Sequence, residues 1–161
     1  MAGKQDFFTY LVYARTNPVF GQIAYLILKL LGTEIPRSVS IGENFELAHG
    51  GFGVVIHSRS KIGNRVKIYP GVTIGRADIH QPMDKSSFEA IVIEDDVILS
   101  PGSKILCKDG ILFIRHGTVV GANAVLLNST LPNEIWAGVP ARRIGLREFD
   151  PTNGTAKDLT G

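Results

Sequence analysis

The stretch IHSRSKIGNRVKIYPGVTIG, residues 56–75, places an isoleucine at every sixth position: Ile56, Ile62, Ile68 and Ile74. A helix repeats its buried face every 3.6 residues and a half-buried strand every two, so neither produces this period. The same spacing runs outward from it. Ile35, Ile41 and Leu47 precede it; Ile93, Leu99 and Ile105, then Ile114, Val120 and Leu126, follow. Glycine comes directly after the aliphatic residue at Gly42, Gly63, Gly75 and Gly121. Four places beyond it stands a small or β-branched residue, as at Val39, Ser60, Val66, Val72, Val97, Ser103, Thr118 and Ala124. A fixed short repeat with an inward aliphatic marks a β-solenoid. Each hexad supplies one short strand and one turn, and the hexads from Ile56 to Ile74 complete one triangular coil. An antiparallel β-sandwich would show a period of two and hairpin turns such as Asn-Gly, and neither dominates. The expected fold is all-β: a parallel β-helix over 34–146, a helical segment over 1–33 and a tail over 147–161.

The breaks in the repeat are informative. Gly50-Gly51-Phe52 shifts the phase by three, as does the Cys107–Gly110 region. Between Arg76 and Ala90 the repeat disappears, leaving His80, Pro82, Met83, Asp84 and two serines. An irregular excursion from a regular solenoid reads as a functional loop. Ahead of the repeat, Asp6 is placed to cap a first helix, and Asn17-Pro18 to start a second. Phe20, Ile23, Ile27, Leu30 and Leu31 recur at helical spacing, and Gly32 is placed to end that helix.

Composition narrows the function classes. The formal net charge of +2 gives no basis for sequence-independent binding of nucleic acid. The single cysteine, Cys107, cannot form an internal disulfide, which fits a reducing compartment. No signal-peptide pattern opens the chain, and the apolar run Val19–Leu31 is shorter than the roughly 20 residues of a spanning helix. A cytoplasmic location is the expectation.

The hexads, the loop and the ending Ala137-Gly138-Val139-Pro140-Ala141-Arg142 together resemble the hexapeptide-repeat acyltransferases, over about residues 33–146. Glu34-Ile35-Pro36 through Leu47-Ala48-His49-Gly50-Gly51 is similar to the serine acetyltransferase-like branch. The resemblance implies a left-handed coil, acetyl-CoA as donor, no metal, and a homotrimer with sites between subunits. It also implies that His49 is the catalytic base, with Glu34, fifteen residues earlier, at the position of the branch's carboxylate. The chemistry accounts for such a pair. A hydroxyl must lose its proton as it attacks a thioester, imidazole titrates in the right range, and a carboxylate on the other ring nitrogen sets its tautomer. His80 aligns with a second active-site histidine, so His80 and Asp78 are the candidate acceptor contacts, with Gln81, Ser86 and Ser87 beside them. Pro101 and Ala122 match positions where the family holds the pantetheine arm through backbone groups. Arg142 and Arg143 match those that meet the nucleotide phosphates, a task that suits a planar guanidinium. His57 and His116 read as solvent-facing, and Cys107 as a packed thiol.

Two departures bear on the acceptor. The branch has aspartate immediately before the catalytic histidine and arginine immediately before the second one; this chain has Ala48 and Ile79. A zwitterion would lack partners for its charges, at a cost of several kcal/mol in a partly buried site. Arg76 is the one nearby substitute for the arginine. The expectation is therefore a neutral hydroxyl acceptor, a sugar of a surface polysaccharide or its precursor, with serine as the alternative. Two other readings are a metalloenzyme like the γ-class carbonic anhydrases, using His80 and His116, and a non-catalytic scaffold. The N-terminal helices are expected to cover the open edge of the first coil, with contact to a membrane surface as the other role for their apolar faces.

Overall fold

The structure is a computed structural model that describes residues 7–148. Asp6 and the end of the chain lie outside these residues. Two helices, α1 (Phe7–Ala14) and α2 (Gly21–Leu30), precede β1 (Ser40–Ile41), β2 (Glu46–Leu47) and a short 3-10 turn, Ala48–Gly51. Then come β3 (Val55–Ile56), β4 (Ser60–Ile62), β5 (Lys67–Ile68), β6 (Thr73–Arg76), β7 (Phe88–Ile93), β8 (Ile98–Leu99) and β9 (Lys104–Cys107). The last strands are β10 (Gly110–Ile114), β11 (Val119–Val120), β12 (Val125–Leu126), β13 (Glu134–Gly138) and β14 (Ala141–Leu146).

These strands build the three faces of a prism, in the orders β1-β4-β7-β10, β2-β5-β8-β11-β13-β14 and β3-β6-β9-β12. All the pairings are parallel except that of β13 with β14. The hexad residues align into one ladder per face. Ile41, Ile62, Ile93 and Ile114 are in register on the first. Leu47, Ile68, Leu99, Val120 and Trp136 are in register on the second, and Ile56, Ile74, Ile105 and Leu126 on the third. Of the hexad residues only Ile41 and Trp136 are less than fully buried, and the residues four places on, from Val39 to Ala124, are buried as well. Each enclosed Ile or Leu contributes about 1.5–3 kcal/mol of transfer free energy, so the ladders supply the main cohesion. The fold is thus the left-handed β-helix of hexapeptide repeats. The parallel ladder continues past Leu126 into β13, which pairs with β11, and ends where β14 turns back antiparallel on β13.

The helices close the N-terminal end. A β-helix's first coil leaves unpaired backbone groups, and here side chains of α1 and its C-terminal turn satisfy them. The Tyr13 hydroxyl donates to the Gly42 carbonyl at 2.7 Å and accepts from the Phe45 N–H at 3.0 Å. Thr9 accepts from the Leu47 N–H at 3.3 Å. The buried Arg15 guanidinium donates to the Val12 and Val39 carbonyls, and burial lowers its pKa to about 10. Asn17 caps the next turn through its side chain, accepting from Val19 and Phe20 N–H groups at 2.8 and 3.0 Å. Gly32, at φ +82°, ends α2 in the left-handed conformation expected there. On α2, Gly21, Ala24 and Leu28 face inward and Ile27 and Leu31 pack against the core, whereas Phe20, Ile23 and Leu30 point to solvent. The small residues face the coil because the helices lie close against it and against each other.

Candidate active site

His49 sits in the turn that follows β2, at the edge of the prism between the second and third faces. Its backbone is left-handed (φ 51°, ψ 34°), an uncommon conformation for a side-chain-bearing residue, and Gly50 and Gly51 continue it at φ 75° and 62°. A Cβ on Gly51 would lie 2.4 Å from the Leu47 side chain, so the turn admits only glycine there. Thr33 ties the turn down, its hydroxyl donating to the Gly51 carbonyl at 2.8 Å. The effect is to expose the His49 ring, whose centroid lies 6.0 Å from that of Tyr69.

Glu34 enters the coil beside this turn, its N–H donating to the Val54 carbonyl and its own carbonyl accepting from Ile56. Its carboxylate, however, pairs with Lys29 at 3.4 Å. The expected contact between Glu34 and His49 is not among the hydrogen bonds of this chain. The lysine, at the end of α2, holds the carboxylate instead.

The same prism edge carries Pro101 and Ala122. Coil by coil, the corners 48–51, 69–71, 100–102 and 121–123 stack on one another, with Gly71 N–H donating to Phe52, Gly102 to Pro70 and Asn123 to Pro101. The ridge then reaches β13 through the Gly121 N–H to Trp136 carbonyl bond, and Ala137 pairs with Arg142. At about 4.8 Å per coil, His49 and Ala122 are roughly 14 Å apart along the axis. Arg142 is exposed at the far end. Arg143, by contrast, is held at 3.2 Å by the buried Glu134, which also accepts from the Trp136 indole N–H at 2.9 Å. This pair fastens β14 to β13 and ties up a guanidinium that was expected beside Arg142.

The candidate acceptor residues lie on a different edge, between the third and first faces. Here the 77–87 loop, with Lys108 and Asp109 from the next coil, lines a cleft of about 410 Å³ that includes Asp78, His80, Gln81 and Ser87. Asp78 is buried, with the Ser86 hydroxyl donating to it at 2.6 Å and the Arg76 guanidinium ion-paired at 3.5 Å, beyond good hydrogen-bond geometry. The Ser86 bond, aided by Arg76, holds its carboxyl below the usual range against the desolvation that pushes it up. Ser86 also accepts from Phe88 N–H at 3.1 Å, so it closes the loop and is not an open acceptor contact. His57, expected in solvent, packs edge-on against Phe88 at 4.8 Å; burial, then Arg59 and Arg76, lowers its pKa. No hexad rule would have found it, since it stands at a corner. Cys107 is buried in β9 and burial raises its pKa, in keeping with a packed thiol.

The third edge carries charge. Arg65 forks onto Asp96 at 2.7 and 2.6 Å, Asn64 bonds Asp95 through backbone and side chain, and Glu94 accepts from Arg115 and the His116 N–H. His116 faces Asp96 at 3.5 Å, with much of its side chain still open to solvent. It is one edge away from His80, and the two do not share a site within the chain.

No protein-family profile matches the chain. Over 111 residues, 69% of its length, it is 33% identical to the serine acetyltransferase of Bacillus licheniformis, covering 47% of that protein. A crystal structure of Neisseria gonorrhoeae serine acetyltransferase in complex with serine superposes with a TM-score of 0.68 at 21% identity, over 85% of this chain and 56% of that one. A serine acetyltransferase in complex with CoA gives 0.61 at 25% identity, over 85% and 53%. The chain spans about half the length of the curated relatives it matches.

Proposed function

With the β-helix placed among the hexapeptide-repeat acyltransferases, on their serine acetyltransferase-like branch, we propose that the chain is an O-acetyltransferase that takes its acetyl group from acetyl-CoA. The observation that carries this is the common edge of His49, Pro101, Ala122 and Arg142. The corners between His49 and Arg142 are Tyr69-Pro70-Gly71, Ser100-Pro101-Gly102 and Gly121-Ala122-Asn123, so beyond Tyr69 an extended thioester arm would run along mostly small residues, prolines and glycines. With the nucleotide near Arg142, the thioester would arrive at His49. There the imidazole takes the proton of an acceptor hydroxyl as its oxygen attacks the carbonyl. Collapse of the tetrahedral intermediate breaks the C–S bond, and the imidazolium returns the proton to the departing thiolate.

His80 and Asp78 belong to the acceptor side of this proposal. Because their cleft and His49 occupy different edges, the two halves meet only if a neighbouring copy supplies one of them. A homotrimer with sites between subunits satisfies that requirement. A monomer at micromolar concentration by sedimentation would contradict it.

The names of the relatives support L-serine as the acceptor, with O-acetylserine as product, better than the neutral sugar expected from the sequence. One pair of observations keeps the sugar as a second reading: Ala48 is buried without charge, and Ile79 is 79% exposed where a carboxylate anchor is needed. Arg76, the candidate substitute, is already engaged by Asp78 and by the Gln81 carbonyl at 2.6 Å. Free-thiol release measured with L-serine and with a panel of sugars and nucleotide-sugars decides between them. A kcat/KM ratio of tenfold either way corresponds to about 1.4 kcal/mol of transition-state discrimination. No thiol release with any hydroxyl compound would overturn the transferase reading itself.

A further inference from the structure

The outer face of the two helices takes no part in that chemistry. Phe7, Tyr10, Phe20, Ile23, Leu26 and Leu30 are 48–87% exposed there. Phe20, at the start of α2, Ile23 and Leu30 lie along its outer side, with Leu26 beside them, and Phe7 and Tyr10 share one side of α1. Single exposed apolar residues are ordinary; two stripes of large ones on neighbouring short helices are not.

The charges of this segment are one-sided. From Phe7 to Thr33 the sequence contains no aspartate or glutamate. Its basic residues are Arg15, buried beneath the helices, and Lys29 at the end of α2. Arg37 adds a further cation at the start of α2, where its guanidinium donates to the Asn17 carbonyl at 3.3 Å. The first carboxylate to follow, Glu34, is held by Lys29. The two helices, of 8 and 10 residues, are about 12 and 15 Å long, half or less of a bilayer's hydrocarbon thickness. No helix among the described residues is long and apolar enough to cross a membrane.

We propose that this face is a docking surface for an anionic lipid bilayer, with both helices lying in the plane of the headgroups. Aromatic and aliphatic side chains on the outward side suit the boundary between headgroups and acyl chains. The lack of carboxylates means that no acid must be desolvated or pressed against lipid phosphates, and the basic ends of α2 are attracted to them. A second copy of the chain suits the face less well. Glu34 is already paired with Lys29, and the helices offer no other carboxylate to meet the exposed Arg37 of a partner copy. The helices close the end of the β-helix, so docking there leaves the prism edges, and with them His49 and the loop cleft, facing solvent.

The test is flotation of the full-length protein with vesicles of phosphatidylcholine containing phosphatidylglycerol, and with phosphatidylcholine alone. Binding is expected to the anionic vesicles and to weaken with added salt. The double variant Ile23→Asp with Leu30→Asp should bind at least tenfold more weakly, with an unchanged melting temperature and unchanged thiol release on a soluble acceptor. Absence of binding to the anionic vesicles overturns the proposal, as does binding that the double variant keeps. Equal binding to both vesicles overturns its electrostatic part. A soluble assembly that the double variant dissociates, without vesicle binding by the parent, would assign the face to a second copy instead. The vesicle binding and the melting temperature do not depend on the chain being a transferase; only the thiol-release control does.

Discussion

Two edges of this prism share a backbone and differ in everything else. At each, the residue three places after the ladder aliphatic is left-handed. On the edge after the first face these residues are Asn44, Arg65, Asp96 and Gly117; on the edge after the second they are Gly50, Gly71, Gly102 and Asn123. The first edge uses its side chains to weld coil to coil, through Arg65–Asp96, Asn64–Asp95 and Glu94–Arg115. The second keeps its corners short, with glycines whose missing Cβ atoms leave the coils in close contact; a Cβ on Gly102 would lie 2.1 Å from the Asn123 side-chain oxygen. A repeat can therefore supply the same turn to stabilise the solenoid or to leave a path along it. The residue at the corner makes the choice.

Substitutions should separate the two edges, by activity on one and by stability on the other. The largest effect expected is that of His49→Ala. Thiol release should fall about 10²–10⁴-fold, as for loss of a general base, with CoA affinity and melting temperature nearly unchanged. Normal turnover in this variant would remove the proposed site. Glu34→Gln should lower turnover less than tenfold, because its carboxylate is with Lys29; a loss as large as that of His49→Ala would show that assembly brings it to the imidazole.

On the charged edge, Asp96→Ala removes the carboxylate onto which Arg65 forks and which His116 faces, while the Asp96 carbonyl that accepts from Arg147 stays. Much of Arg65 is in solvent, so the cost is about 1–2 kcal/mol by denaturant titration, below that of a fully buried pair. Activity should hold. The same edge should respond to acid. Glu94 loses ground to desolvation but is held below its ordinary pKa by Arg115 and the His116 N–H, and Asp95 is held down by its bonds from Asn64. Carboxyls depressed on folding bind protons more readily when unfolded, so their stabilisation is complete above the ordinary carboxylate range. It is lost as pH falls through the depressed values. Melting temperature measured from neutral pH downward should decline in that window, and less so in Asn64→Ala. The smallest effect expected is a severalfold rise in KM for acetyl-CoA in Arg142→Ala. Arg143→Ala, which breaks the Glu134 pair, should leave KM in place and lower stability slightly.

The ladders were legible in the sequence because their cause is local and repeated: one aliphatic residue must point inward in every hexad, whatever surrounds it. The caps at Asn17 and Gly32 were legible for the same reason, each depending on a few neighbouring residues. His49 was legible through its place before two glycines in a matching motif. The partners of side chains were not. Arg143 turns to Glu134, Glu34 to Lys29 and Ser86 to Asp78, contacts decided by which corners and strands come to lie side by side. Which side of α2 packs was not legible, because periodicity reports that a helix has an apolar side but not what it meets. With a coil end and a neighbouring helix close at hand, Gly21 and Ala24 allow the approach that larger residues would block. By itself, then, the sequence determined the solenoid, its period and the corner that carries His49. Only the tertiary structure decided that His49 shares an edge with Pro101, Ala122 and Arg142 and stands apart from His80, because an edge is a relation between coils about eighteen or more residues apart in sequence, which short-range pattern does not encode.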